Sequence, residues 1–372
     1  MNIRIYNASW SSFGGGEKYI CTIADMFSRL AQSEVILLVD RPDITVEHLH
    51  RYFNLQLQNV LMKQIRKRDI AGELRQADLA VIVSNFRPYG TPGRRTVYIL
   101  QIPYPPITAL TLARKALAGD FKDAAKDLFR LALLRDARRA DAVLVYSEFV
   151  RQALQRHHGI HSEVLYPAID DFALDVPGEH AILSVGRFFT GPYNDKRYDI
   201  LIGAFKTLCA RLPNSSWQYW LAGSCGTDKR SLQYLEGLRK AATGFPIYFH
   251  VNCPYAELRR LYNQAAIFWH AAGFGVDEER SPDRMEHFGM STVEAMSASC
   301  APVVINKGGQ KEIVSHGESG YLWNTLEELV GYTVALIEDG TLLGQMQNRA
   351  RTRSTEFDHE HFSRRLQALI PA

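Results

Sequence analysis

The chain has 372 residues, 46% hydrophobic and 22% charged, which predicts a soluble globular protein of two domains, each able to bury a core. No run approaches the roughly eighteen uninterrupted apolar residues of a transmembrane helix, and the first residues lack the regions of a signal peptide, so we expect a cytoplasmic protein. Its five cysteines, at positions 21, 209, 225, 253 and 300, have no paired spacing, which argues against a disulfide framework and a zinc site.

The net charge of +3 hides an asymmetry between the two halves of the chain. Residues 1–167 hold 23 Lys and Arg against 16 Asp and Glu, whereas the remainder holds 20 against 24. Such a split indicates an anionic partner for the basic half, and a membrane face, a phosphorylated acceptor and nucleic acid all qualify. Nucleic acid is not expected, because no binding motif or aromatic ladder accompanies the basic cluster at 63–68.

The first half alternates predicted strands with helical segments. Ile3–Ala8 is the first strand, glycines follow at 14–16, and Glu17–Leu30 has helical spacing. Glycines between a strand and a helix allow backbone amides to close around a phosphate, although a flexible turn is the commoner explanation. Further strands are predicted at 34–40, 78–84, 96–102 and 142–146. This alternation predicts a mostly parallel sheet covered on both sides, with ligands beyond the carboxyl ends of its strands.

A long helical stretch at 110–139 carries both apolar and basic residues. Its apolar residues include positions 110, 117, 121, 128 and 131, and bases at 115, 122, 126, 130, 135, 138 and 139 decorate it. A basic amphipathic segment can lie on an anionic membrane, at the inner membrane face in this case. Four Asp residues interleave with the bases, however, so a helix packed on the domain core with a solvated charged face is favoured.

The second half begins after a polar linker at 170–179. The strand Ala181–Phe188 ends in a glycine and Arg187, and Lys196 precedes a helix that starts at Tyr198. These two cations suit a diphosphate if they converge above the strand end, but each alone is more often a surface charge. Further strands are predicted at 219–222, 247–251, 267–270 and 301–305. We expect His270, at the end of its strand, to be structural.

The segment from Glu286 to Glu294, Glu-His-Phe-Gly-Met-Ser-Thr-Val-Glu, is the most informative in the chain. It follows a long acidic loop, at about 272–289, of a length that is usually functional or disordered. Ser291 and Glu294 alone fit a capping box, the structural explanation. The glycine before the helix, the second carboxylate and the later turn at Gly308–Gly309 favour a binding site, in which helix-start amides face an anion.

This segment resembles the signature of the retaining glycosyltransferases of family 4, in which two glutamates with seven intervening residues hold a nucleotide sugar. The resemblance implies the GT-B fold, an α/β architecture of two Rossmann-like, doubly wound parallel-sheet domains facing a central cleft. Residues 1–169 would form the acceptor-side domain and residues 170–356 the nucleotide-sugar domain. A last helix at 357–372 would cross back to the first domain.

The resemblance also implies roles for individual residues. Glu286 would be the catalytic residue beside the donor sugar, and Glu294 would hydrogen-bond the ribose hydroxyls. Arg187 and Lys196 would neutralise the donor phosphates, over which the Gly14–Gly15 loop would lean from the other domain. The remaining donor-binding residues would be those at the helix start: Phe288, Gly289, Met290 and Ser291.

Two features qualify the resemblance. Many family members place a histidine where this chain has Pro103, which leaves Tyr104 as a substitute on the acceptor side. The chain has no Asp-any-Asp triplet, so neither a metal nor any cofactor besides the nucleotide-sugar substrate is expected.

The resemblance predicts transfer of a hexosyl group, mannose or a similar sugar, from a GDP- or UDP-linked donor to a saccharide or lipid-linked acceptor. The Glu-His-Phe-Gly form is similar to that of mannosyltransferases with a guanosine donor. Two alternatives stay open: a nucleotide-sugar epimerase or phosphorylase on the same fold, and a non-catalytic partner that keeps the fold.

Overall fold

The computed structural model describes residues 1–8, 10, 14–29, 33–53, 55, 57, 59–189, 191 and 195–370. The chain forms two compact units. The first combines Met1–Ala168 with Phe362–Ala372, and the second is Ile169–His361. The last helix therefore belongs mainly to the first unit, where the Phe362 ring meets the edge of the Tyr19 ring at a centroid distance of 5.8 Å.

The first unit is a parallel sheet with helices between its strands. Its strands are β1 (Asn2–Asn7), β2 (Glu34–Val39), β3 (Val60–Gln64), β4 (Leu79–Val83), β5 (Arg95–Leu100), β6 (Ala142–Val145) and β7 (Glu163–Val164). Its helices are α1 (Gly15–Ser28), α2 (Val46–Phe53), α3 (Ile70–Leu74), α4 (Ala109–Leu117), α5 (Phe121–Ala137) and α6 (Glu148–His158). The strand order is β3-β2-β1-β4-β5-β6-β7, and every pairing is parallel.

The second unit repeats this plan. Its strands are β8 (Ala181–Val185), β9 (Gln218–Gly223), β10 (Ile247–Val251), β11 (Ile267–His270), β12 (Ala301–Ile305) and β13 (Tyr321–Trp323). Its helices are α7 (Tyr198–Arg211), α8 (Lys229–Ala242), α9 (Tyr255–Gln264), α10 (Met290–Ser297), α11 (Gln310–Ile313), α12 (Leu326–Glu338) and α13 (Gly340–Ser354), and α14 (His359–Leu369) ends the chain. The strand order is β10-β9-β8-β11-β12-β13. The chain adds β9 and β10 on one side of β8 and β11 to β13 on the other, so the order of addition reverses between β8 and β11.

The apolar composition of the central strands explains why they are buried. In β4, β8 and β12 every residue is buried, as expected for parallel strands that helices cover on both faces. The predicted fold, two Rossmann-like parallel-sheet domains, is confirmed. The strands predicted at 247–251, 267–270 and 301–305 have the observed bounds. The prediction missed β3, an edge strand with mostly polar exposed residues, and β7, which has only two residues.

The helical stretch at 110–139 differs from its prediction in two ways. It is two helices, α4 and α5, separated at Gly119, whose φ of +79° ends the first helix. The apolar residues expected to pack on the core, among them Leu117 and Phe121, are exposed. That expectation was wrong because Leu133, Leu134, Ala137 and Asp127 occupy the inner face of α5, while α4 has no buried residue.

No helix in the described part of the chain combines the length and apolar character needed to cross a bilayer.

Candidate functional site

The candidate site of the second unit lies where three neighbouring strands end. β11 pairs with β8 on one side and with β12 on the other, so their carboxyl ends share one edge of the sheet. His270 is the last residue of β11, and the loops after β8, β11 and β12 carry Lys196, Glu286 and Gly308–Gly309. Ligands of doubly wound sheets bind at such an edge, where the strand order reverses.

A buried charged cluster forms there. The Lys196 ammonium donates a hydrogen bond to Oε2 of Glu286, and His270 Nε2 lies 3.1 Å from the same oxygen. His270 Nε2 also lies 3.3 Å from Lys196 Nζ. The exposed fractions of the Lys196 and Glu286 side chains are 15% and 12%, and His270 is fully enclosed. One carboxylate oxygen therefore accepts from both neighbours.

Electrostatics sets the protonation of this cluster. Burial opposes ionisation of Glu286, but the Lys196 charge and the hydrogen bond from His270 outweigh burial and hold the pKa of Glu286 well below its usual range. Burial, reinforced by Lys196, lowers the pKa of His270 below its ordinary 6.5. Near neutral pH the carboxylate is thus charged and the imidazole neutral. The imidazole Nε2–H donates to Glu286, and Nδ1 is buried without a hydrogen-bond partner among the described residues.

Glycines allow the backbone to close around this cluster. A Cβ at Gly186 would lie 2.8 Å from the Lys196 Cγ and Cε atoms, so the lysine stem packs directly over the end of β8. Gly308 has a φ of +59°, and a Cβ there would lie 2.3 Å from the Glu286 carbonyl oxygen. The Gly309 amide donates to that carbonyl at 2.9 Å. The turn predicted from Gly308–Gly309 therefore holds the backbone of Glu286.

The entrance of α10 lies next along the chain. Its N-cap is Gly289, with a φ of +120° and no side-chain cap. The Thr292 amide donates to the Gly289 carbonyl at 2.9 Å, so the amides of Met290 and Ser291 are the ones left for another acceptor. Ser291 is inside the helix, and the Glu294 carboxylate accepts a hydrogen bond from the Tyr262 hydroxyl at 2.8 Å. The capping-box explanation is therefore wrong. The Gln310 side chain, fully buried against Gly289, has no hydrogen-bond partner among the described residues.

Other predicted donor-site residues have different neighbours. Arg187 is exposed, and its guanidinium lies 4.6 Å from the centroid of the Phe189 ring. Phe288 is buried, with its ring edge on Phe357 at a centroid distance of 5.4 Å, so only its backbone is placed to bind a ligand. Met290 is half-buried at the helix start. The structure thus brings Lys196 to Glu286, whereas Arg187 stacks on a neighbouring ring.

Lysines stabilise the acidic loop that leads to Glu286. Lys307 donates to the carbonyl oxygens of Gly273, at 3.3 Å, and Val276. Lys311 binds the Glu278 carboxylate at 2.7 Å. Within the described ranges, no three His, Cys, Asp or Glu side chains are grouped so that they could hold a metal ion.

The candidate residues of the first unit occupy a loop and a core. The Gly14 amide, just before α1, donates to the Glu17 carboxylate at 3.1 Å. Residues 11–13 of the predicted glycine loop lie outside the described residues, as does residue 194 ahead of Lys196. Tyr104 has no exposed surface and lies below the Arg130 guanidinium, 5.5 Å from the ring centroid. The roles predicted for Gly14, Gly15 and Tyr104 stay predictions.

His270 is the site residue that the sequence analysis passed over. The sequence analysis placed it at the end of its strand and interpreted it as a structural histidine. The available signal was position: a polar side chain that ends a strand of a parallel sheet lies at the ligand-binding edge. Gln310, in the turn after β12, gave no signal of its own.

Comparison with known proteins gives the class. The family described as "Glycosyl transferases group 1" matches residues 169–353, and "Glycosyltransferase Family 4" matches residues 13–171. Among solved structures, Anabaena HepE in complex with UDP-glucose has a TM-score of 0.69 at 16% identity, over 99% of this chain and 98% of its own. The chain therefore has the GT-B fold of nucleotide-sugar glycosyltransferases. It belongs to glycosyltransferase family 4.

The matches to curated relatives cover only part of each relative's length. The GDP-Man:Man(3)GlcNAc(2)-PP-Dol alpha-1,2-mannosyltransferase of Xenopus tropicalis is 28% identical over 50% of this chain and 36% of its own length. Mannosylfructose-phosphate synthase of Agrobacterium fabrum is 23% identical over 74% of this chain and 63% of its own. The chain thus spans less than two thirds of either relative.

Proposed function

We propose that this protein transfers a hexosyl group, mannose or a similar sugar, from a GDP- or UDP-linked donor to a saccharide or lipid-linked acceptor. The transfer retains the anomeric configuration and needs no metal. The observation that carries the proposal is the cluster of Lys196, His270 and Glu286 at the strand ends, followed directly by the uncapped start of α10. The similarity to the mannosyltransferase of Xenopus tropicalis, whose name includes GDP-Man, supports mannose and a GDP donor.

The donor diphosphate would take the place that Glu286 now holds at Lys196. In the structure the lysine ammonium donates to the Glu286 carboxylate. A diphosphate at the start of α10 would accept from the helix amides and draw the ammonium toward itself. Arg187 is exposed, and its guanidinium could swing onto the phosphates from Phe189. Glu286 would then face the sugar.

The chemistry follows from this exchange. The bond between the anomeric carbon and the diphosphate oxygen breaks, and its electron pair leaves with the diphosphate. Lys196 and the helix amides stabilise that growing negative charge. The charged Glu286 carboxylate orients the sugar as positive character develops at its anomeric carbon. The acceptor hydroxyl bonds to that carbon on the departing face, and its proton passes to the oxygen of the leaving diphosphate.

Donor recognition would continue along α10. Glu294 is half-buried inside α10, eight residues past Glu286 in the sequence, and its carboxylate accepts a hydrogen bond from the Tyr262 hydroxyl. We assign it the ribose hydroxyls, which are donors that a carboxylate binds well. The basic first half of the chain would bring the protein to an anionic membrane face when the acceptor is lipid-linked.

Donor turnover by the purified chain tests the proposal. GDP-mannose, UDP-glucose and related donors would be screened for thermal stabilisation and for nucleotide release, with and without EDTA and a panel of saccharide and lipid-linked acceptors. We expect one donor to raise the melting temperature and to give an EDTA-insensitive product whose anomeric configuration, by NMR, matches the donor. Epimerised donor without acceptor, or dependence on inorganic phosphate, would favour the alternative enzymes. Absence of any donor binding would favour a non-catalytic partner.

A further inference from the structure

Two consecutive helices of the first unit, α4 and α5, expose large apolar side chains. The exposed fractions are 60% for Leu110, 89% for Leu117, 68% for Phe121, 57% for Leu128 and 50% for Phe129. These are large values for aliphatic and aromatic side chains, and they are concentrated in one segment of the chain. Concentrated exposure of this kind marks an interaction surface.

The exposed residues form stripes. Phe121, Ala125, Leu128 and Ala132 recur at intervals of three and four residues, so they share one face of α5, which Phe129 widens. Leu110 and Leu117, seven residues apart, share one face of α4. The buried residues of α5 lie on its other side. Each helix is therefore amphipathic with its apolar stripe turned to solvent.

A buried acid fixes this orientation. Asp127 is almost fully buried on the inner side of α5, where Lys115 of α4 and Arg130 both bind its carboxylate, the latter at 2.9 Å. Burying a charge is costly unless it is paired, so rotating α5 to hide its apolar stripe would expose the pair and break it. The two helices are thus held with their apolar residues outward.

Basic residues flank the stripes. The segment 109–139 holds eight Lys and Arg against four Asp, and one of those Asp residues is the buried Asp127. Arg114 and Lys122 are exposed on the same two helices, and Arg139 is exposed two residues after the end of α5. Apolar stripes with long basic side chains beside them are the pattern of helices that lie in a membrane interface, where the bases meet lipid phosphates.

We propose that α4 and α5 form a membrane-docking surface for an anionic bilayer. Leu110, Leu117, Phe121 and Leu128 enter the boundary between headgroups and acyl chains, and Arg114, Lys122 and Arg139 bind the anionic headgroups. This inference rests on the membrane contact in the proposed function, and it specifies the surface and the lipid charge. It does not depend on which donor the enzyme uses.

Vesicle sedimentation of the full chain tests the surface. Vesicles of phosphatidylcholine are compared with an equimolar mixture of phosphatidylcholine and phosphatidylglycerol. We expect binding to the anionic vesicles to be at least about tenfold tighter than to the neutral ones. The triple variant Leu117→Gln, Phe121→Gln, Leu128→Gln should lose about tenfold or more of that affinity. Arg114→Gln, Lys122→Gln, Arg139→Gln should remove the preference for anionic vesicles.

A matched control replaces exposed apolar residues of the second unit. The double variant Leu232→Gln, Tyr248→Gln, at sites 50% and 49% exposed, should bind vesicles as the unaltered protein does. Nucleotide release from the donor in solution is measured for every variant and should stay unchanged, which also shows that each variant is folded. Vesicle binding without donor turnover would uphold the docking surface and refute the transferase.

Three results would overturn the inference. The unaltered protein could fail to bind either vesicle, or the triple apolar variant could bind as well as the control variant. The third is that the unaltered protein self-associates but binds no vesicles, and that the triple variant no longer self-associates. Size exclusion over a concentration series detects the self-association. That result would assign the surface to a second copy of the chain.

Discussion

In each unit of the molecule a buried carboxylate binds two basic side chains, but these two examples lie in different parts of a similar fold. In the second unit, Glu286 meets Lys196 and His270 at the carboxyl ends of the strands. In the first, Asp127 meets Lys115 and Arg130 on the inner side of a surface helix. Burial and pairing alone therefore do not identify a binding site. Position at the switch point of the sheet favours a binding site for the Glu286 cluster, whereas Asp127 lies on a surface helix.

The strongest test of this comparison is Glu286→Gln. We expect kcat to fall by about a thousandfold, because the amide cannot carry the charge that faces the anomeric carbon. The fold should persist, since the amide still accepts from Lys196 and His270. Nucleotide release under saturating donor measures the change, and thermal unfolding checks the fold.

Glu278→Gln is the matched control in the same acidic loop, where Glu278 pairs with Lys311. It should leave kcat within about twofold, as expected for a partly exposed ion pair, because the amide oxygen of Gln can still accept the long, 3.4 Å hydrogen bond that the Gly308 amide donates to Glu278. Equal losses in the two variants would contradict a specific role for Glu286.

Asp127→Ala should have the largest effect on stability. It leaves Lys115 and the largely enclosed Arg130 without their common partner, at a cost of about 3 kcal/mol in the free energy of unfolding of the first unit. Donor turnover per folded molecule should be unchanged. Urea denaturation, followed by fluorescence and circular dichroism, gives the stability.

The exposed Asp123 of the same helix provides the control, since it pairs only at the surface with Lys126. Asp123→Ala should change stability by less than about 0.5 kcal/mol. A stable Asp127→Ala variant would show that the buried pair does not hold the helices in place.

Glu294→Gln should act on donor binding rather than on the chemical step. We expect the donor KM to rise about tenfold with kcat little changed, because an amide accepts less strongly from the ribose hydroxyls. Tyr262→Phe keeps the carboxylate but removes its hydrogen bond, so a smaller rise is expected. Isothermal titration with nucleoside diphosphate separates binding from turnover, and unchanged donor affinity in Glu294→Gln would refute its assignment.

The smallest expected effect is on the pH dependence of stability. Burial lowers the pKa of His270 below 6.5. At pH values just below 6.5, the imidazole therefore binds a proton in the unfolded chain but not in the folded protein. Stability should therefore fall as the pH drops from about 7 to about 5, and His270→Asn should flatten that slope. The lowered pKa of Glu286 adds a further loss only below its ordinary 4.5.

Calorimetric melting temperatures at several pH values test this, with the exposed His361→Asn as control. An unaltered slope in His270→Asn would show that other groups set the acid sensitivity.

Much of this could be predicted from the sequence. Uninterrupted apolar runs such as Ala301–Ile305 belong to parallel strands, and a glycine ahead of Met290 marked the start of a helix. The direction of the apolar stripes of α4 and α5 could not be predicted, because periodicity defines a helix face and not what covers it. The contact of His270 with Lys196 could not be predicted, since the two residues are 74 positions apart in the chain.

The short strand β11 makes the cluster of Lys196, His270 and Glu286 sensitive to insertions and deletions. Its side chains alternate, so Ile267 and Trp269 join the apolar core while His270 ends the strand beside Glu286. Removing or adding one residue between 267 and 270 would exchange the two faces and carry the imidazole to the opposite side of the sheet. Insertions and deletions in related sequences should therefore occur in the loop after His270 rather than within the strand.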